Sequence, residues 1–178
     1  MFVEGKHYKT IWPNKALTGV TIIDQTYLPF EFKLSELTSL GAVVEAIKFM
    51  RVRGAPLIGV TGVYGLAIAL TKNSTDQSLI EAKTQLIKSR PTAVNLSWAI
   101  NLVYDQLKKE PRNNRASMAW ILANKLANED IETNQSIGEF GFKLIHKIQK
   151  SRINILTHCN AGWLATIDHG TALSPIYK

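Results

Sequence analysis

Residues 20–28, VTIIDQTYL, concentrate β-branched and aromatic side chains and stop at Pro29. Residues 30–34, FEFKL, then alternate apolar and polar positions. Patterning of period two broken by a turn residue predicts a short hairpin or meander near the N-terminus. From there the period lengthens. Leu40, Val43, Val44 and Ile47 recur at helical spacing behind Thr38 or Ser39, either of which can cap a helix. Residues 51–56, RVRGAP, interrupt that helix. Pro56 opens a second, LIGVTGVYGLAIAL, to about Leu70. Residues 75–89 predict a third helix that stops near Arg90-Pro91. Leu96, Ala99, Ile100, Val103 and Leu107 mark a fourth, ended by Pro111. Ala116, Ala119, Trp120, Ala123 and Leu126 mark a fifth, and Ile137, Gly141, Leu144, Ile145 and Ile148 continue its pattern to about Lys150. Residues 1–150 therefore read as a mostly helical domain with a small β element at its start.

The texture changes after residue 150. Ile153-Asn154-Ile155-Leu156-Thr157 reads as a short, mainly apolar strand, and Cys159-Asn160-Ala161-Gly162 as a small-residue turn. A new helix is predicted from near Gly162. Strand, turn and helix open an α/β sheet domain. A parallel strand needs cover on both faces and neighbours beside it, so residues 151–178 are expected to find a partner or to self-associate. The fold class expected is α/β overall: a mostly helical N-terminal domain with a small β element, followed by the first strand and helix of a truncated Rossmann-like domain.

Composition narrows the function. The 178 residues are 46% hydrophobic and 20% charged, which suits an ordinary globular protein. No apolar run is evident at the roughly 18 residues that span a membrane. The first ten residues, MFVEGKHYKT, lack an apolar signal-peptide core, so the cytosol is the default expectation. The net charge of +7 suits nucleic acid or an anionic small substrate. The basic residues are dispersed and the aromatics are not interleaved with them, which argues against a nucleic-acid platform. The single cysteine, Cys159, excludes an internal disulfide. His7, His146, His158 and His169 do not have zinc-ligand spacing, so no metal is expected. Gly59, Gly62 and Gly65 read as sites of close helix packing, because their spacing does not match a dinucleotide-binding loop.

Three segments could carry chemistry. In RVRGAP, Gly54 permits unusual backbone angles. The amides of Gly54 and Ala55 would lie at a helix N-terminus beside Arg53 or Arg51, a setting that favours phosphate. The alternative is a loop with solvated arginines. In RPTAVN, residues 90–95, Arg90 is held extended by the following proline and could grip an anion. Asn95 could simply cap the next helix. In THCNAG, Cys159 falls at the C-terminal end of the expected strand, where open α/β sheets bind ligands. It could equally be a small buried hydrophobe.

In this order the three segments resemble the methylthioribose-1-phosphate isomerases. The matching residues are Val52-Arg53-Gly54-Ala55-Pro56-Leu57-Ile58-Gly59 with Tyr64-Gly65-Leu66-Ala67, then Arg90-Pro91-Thr92-Ala93-Val94-Asn95-Leu96. Leu156-Thr157-His158-Cys159-Asn160-Ala161-Gly162, Gly170-Thr171-Ala172-Leu173 and, near the start, Ile23-Asp24-Gln25-Thr26-Tyr27-Leu28-Pro29 complete the set. The resemblance implies an aldose–ketose isomerase of methionine salvage that converts 5-methylthioribose 1-phosphate into its ribulose isomer, usually as a homodimer, without metal or nucleotide cofactor. It implies that Arg53, Gly54, Ala55 and Arg90 bind the sugar phosphate and that Cys159 is the catalytic thiol. The family's aspartate proton donor has no counterpart in this span. Asp168 lies outside the aspartate motif, and Thr166-Ile167-Asp168-His169 stands where many members carry a glycine-rich run. The expectation is thus an isomerase fragment, inactive alone, with a homo-oligomer or a complementary C-terminal fragment as partner. Two other readings share the architecture: a non-catalytic assembly module related to initiation factor 2B regulatory subunits, and a ribose-1,5-bisphosphate isomerase.

Overall fold

The computed structural model describes residues 1–178. The N-terminus forms two small antiparallel sheets. β1 (Phe2–Val3) pairs with β2 (Lys6–His7). β3 (Ile11–Pro13), β4 (Val20–Ile23) and β5 (Leu34–Leu37) form a meander with β4 central, in which Ile22 faces Ile11 on one side and Ser35 on the other. The expected β element is therefore present, but shifted. The strand ends at Ile23 because Asp24 turns the chain, its carboxylate accepting from the Thr26 amide and hydroxyl. Its partner begins at Leu34 rather than Phe30.

Five helices follow: α1 (Leu40–Lys48), α2 (Ala55–Lys72), α3 (Asp76–Ser89), α4 (Val94–Leu107) and the long α5 (Arg112–His146). Ser39 caps α1, its hydroxyl accepting from the Ala42 amide. α2 is the axis of the core. Fourteen of its 18 residues are buried, and it packs against α1, α3, α4 and α5. By length and composition α2 could cross a membrane, contrary to the expectation that no run is so apolar. Here 78% of it is buried inside the fold, so it is a core helix. The glycine spacing serves that packing. A side chain at Gly62 would meet Leu96 and Ile100 of α4, and one at Gly65 would meet Leu86 of α3 and Val43 of α1. α2 is tied to α5 by Tyr64 Oη donating to Asn124 and by Trp120 Nε1 donating to Thr71. Buried Arg115 donates to the Leu107 carbonyl at the end of α4 and to Ser74 before α3, so it closes two helix junctions.

The last segment departs from expectation. Residues 153–157 form no strand, and residues 147–160 are exposed throughout. A single strand leaves its amides and carbonyls without a ladder, so the chain stays solvated. The expected helix from Gly162 is instead a single 3-10 turn (Trp163–Ala165) and a four-residue helix, α6 (Ser174–Tyr177). Residues 163–170 are not stranded, however. Ala165 to Asp168 are buried against the helical domain. The Thr10 amide and hydroxyl donate to Ile167 and Thr166, and Ser174 Oγ donates to the Asn134 carbonyl on α5.

Candidate functional site

The RVRGAP loop separates its two arginines. Arg51 Nε donates to Asp24 at 2.5 Å, and Asp24 is buried. Desolvation pushes the Asp24 carboxyl up, but the bonds from Thr26 and Arg51 outweigh it, so its pKa lies below the ordinary carboxylate value. Arg51 is thereby committed to the fold. Arg53 is exposed, makes only a long 3.4 Å contact from Nε to the Met50 carbonyl, and enters no ion pair. Gly54 is the N-cap of α2 at φ 89°, a conformation that favours glycine. A Cβ there would also collide with Ala165 of the 3-10 turn. Ala55 and Pro56 form the first turn of α2, where the leading amides have no intrahelical acceptor.

Arg90 is the C-cap of α3, extended at φ −152° as its proline neighbour demands, half-buried and outside every ion pair. Asn95 is not the cap of the following helix. α4 begins at Val94 behind Ala93, and Asn95 lies inside its first turn. The side chain is thereby left for another use.

A cleft of about 580 Å³ opens between α2, α4 and α5. Pro56, Gly59 and Val60 form its α2 side, and Val94, Asn95 and Trp98 its α4 side. Leu126, Asp130 and Thr133 close it from α5. The RGAP and RPTAVN loops thus run into opposite walls of one cleft. Arg53 and Arg90 stand three and four residues before the lining positions Pro56 and Val94 and do not themselves line it. Asp130 accepts from the Ile167 amide at 2.8 Å and from Asn134 at 3.1 Å. Burial nevertheless dominates and pushes its carboxyl above the ordinary value.

Cys159 is not brought into this cleft. It lies on the exposed stretch at φ 68°, neither at a strand end nor buried, which sets aside both sequence readings of its setting. The chain re-enters the fold at Gly162, and Ala165 then sits against Gly54, so five residues lie between the thiol and the RGAP contact. Asp168 serves the fold. It accepts from the Met1 amine at 2.8 Å and pairs with His7 at 2.6 Å. Desolvation raises its pKa, but the Met1 amine and the His169 amide hold it below the ordinary value. No three His, Cys, Asp or Glu side chains converge as metal ligands would.

Sequence reasoning missed Trp98 and Asp130. Trp98 was legible in principle, because an aromatic residue falls between Leu96 and Ala99, off the core face of α4. Nothing in the spacing of α5 marked Asp130, whose carboxylate accepts from the amide of the distant Ile167.

Residues 51–177 match the family described as the initiation factor 2 subunit family. The chain belongs to that family. Among curated relatives, it is 46% identical over its whole length to a methylthioribose-1-phosphate isomerase of Rhodospirillum rubrum, covering 48% of that protein. It is 48% identical over its whole length to one of Escherichia coli O45:K1, covering 49%. Two solved structures of the family superpose at TM-score 0.82. They are the 5-methylthioribose 1-phosphate isomerase of Pyrococcus horikoshii OT3, 36% identical, with 95% of this chain and 48% of that one covered. The other is the translation initiation factor eIF-2B subunit delta of A. fulgidus, 35% identical, with 96% and 50% covered. The resemblance read from the motifs thus holds across the family, and the chain spans about half the length of the curated relatives it matches.

Proposed function

We propose that these residues supply the phosphate-gripping part of an aldose–ketose isomerase acting on 5-methylthioribose 1-phosphate. The observation that carries this is the convergence of the RGAP and RPTAVN loops on one cleft, with Arg53 and Arg90 free of ion pairs, in a chain whose curated relatives bear that enzyme's name. Arg53 and Arg90 grip the phosphate together with the leading amides of α2 at Gly54 and Ala55. Anchoring that group orients the ring whose C1 and C2 exchange hydrogen. The phosphate on C1 blocks simple ring opening, so the site must open the ring before a hydrogen moves from C2 to C1, by proton or hydride. Cys159 acts as the catalytic thiol once residues 151–178 join a Rossmann-like sheet, supplied by a complementary segment or assembled in a homodimer in the cytosol. The partnering acid is supplied from outside this span.

The test is binding and turnover on the same protein. The 178-residue chain is expected to bind 5-methylthioribose 1-phosphate weakly without turning it over, and Arg53→Ala and Arg90→Ala each to weaken binding by about tenfold. Binding untouched by both substitutions would remove the reading. A second reading, a non-catalytic assembly module, is favoured by the equal structural match to the eIF-2B subunit. It expects no sugar-phosphate binding at all.

A further inference from the structure

We infer that the outer face of α5 is the seat of a second copy of this chain, packed antiparallel against it. The inference does not depend on the sugar-phosphate reading, and the surface is distinct from assembly through residues 151–178. From Glu129 to Lys147, α5 carries an exposed stripe at helical spacing. Its first turn is acidic, with Glu129 and Glu132. Its middle is apolar: Ile137 is 40% exposed, and Phe140 and Leu144 are each 67% exposed. Its end is basic, with Lys143 and Lys147. The other side of the helix is closely packed, where Gly138 and Gly141 meet Ser174 and Pro175 of α6. Large apolar side chains left bare together on one face mark an interaction surface.

The order of charges decides the occupant. Glu129 has a single exposed ion pair, a 3.8 Å contact from Lys125, and Glu132, Lys143 and Lys147 have none. An acidic partner would be drawn to the lysine end and repelled by the glutamate end, and a basic partner the reverse. A second copy turned end for end matches both ends at once. With a two-fold axis at the level of Gly138, Glu129 lies against Lys147 of the second copy and Glu132 against its Lys143. The same two pairs repeat across the axis, as an isologous interface requires. In that register Phe140 of the second copy falls opposite Ser136, where Thr133 and Ser136 line a shallow groove along the helix. The overlap from Glu129 to Lys147 is about 27 Å of helix.

The experiment is sedimentation of the full 178-residue chain and of two charge-reversed variants. The wild type is expected to dimerise at about 100 µM and to dissociate as salt is raised, since exposed ion pairs are screened. Glu129→Lys combined with Glu132→Lys should weaken dimerisation by about tenfold or more, and so should Lys143→Glu combined with Lys147→Glu. An equimolar mixture of the two variants should recover the dimer, because one stripe is then wholly basic and the other wholly acidic. Recovery also shows that neither variant lost association by misfolding. A wild type that stays monomeric at about 100 µM overturns the inference. A dimer that both reversals leave intact overturns it as well, and assigns association to residues 151–178. A mixture that fails to recover the dimer likewise overturns it.

Discussion

Arg51 and Arg53 are two positions apart in one motif and have opposite fates. Arg51 faces a carboxylate with almost no solvent access, whereas Arg53 points outward. Asp24→Asn should therefore destabilise the protein at neutral pH by about 1–3 kcal/mol, less than a fully buried pair because Arg51 keeps 28% of its side chain exposed. The pH dependence follows from the direction of the shift. The folded-state pKa of Asp24 is below its unfolded value, so the stabilisation is complete above about pH 4 and is lost as the pH falls through the folded value. Urea midpoints of the wild type and the variant should differ at pH 7 and draw together as the pH falls below about 4. A constant gap would mean that ionisation of Asp24 is not its source. Gly54→Ala meets two penalties at once, a positive φ and contact with Ala165. It should cost about 1–2 kcal/mol from backbone strain alone. It should also loosen residues 163–170, read as faster amide exchange at Ile167 than at α3.

Elements differ in how far they depend on distant contacts. α1 and α2 are legible in the sequence because caps and period lie within a few residues: Ser39 before α1, and Gly54 with Pro56 at the start of α2. α5 was read as two stretches of one pattern and forms a single 35-residue helix, since nothing between Leu126 and Ile137 breaks it. The strand at residues 153–157 was misread for the opposite reason. Its composition suits a strand, but a strand exists only beside another, and none of β1 to β5 pairs with it. Amides 151–158, which make no backbone hydrogen bonds, should exchange at nearly unprotected rates in the isolated chain, while those of α2 remain slow. Protection at residues 153–157 appearing only on self-association or on addition of a complementary segment would show the strand forming at that interface. Protection in a strict monomer would contradict the structure.

At the scale of the molecule, the cleft sits on one well-formed core. α2 carries both the core and, at its first turn, the wall of the cleft, so the site is as rigid as the domain. Cys159, by contrast, hangs from the exposed stretch. The chain should therefore bind before it can catalyse: Cys159→Ser should leave sugar-phosphate affinity within about twofold, because the thiol touches neither cleft wall. Calorimetry on the isolated chain checks this, and a large loss of affinity would place the thiol nearer the phosphate than its position here.

The sequence by itself determined helices α1 to α5, their boundaries to within a few residues, the two arginine-bearing turns and the family, because each is written in neighbouring residues. Only the tertiary structure decided that Arg51 belongs to Asp24 and Arg53 to solvent, that Gly54 is required by Ala165, that Asp168 holds the N-terminus, and that three helices enclose a cleft with Trp98 on its wall. Those outcomes depend on groups tens of residues apart meeting in space, and period and capping are blind to such separations. For the same reason the sequence could suggest a strand at residues 153–157 but not supply the neighbour a strand requires.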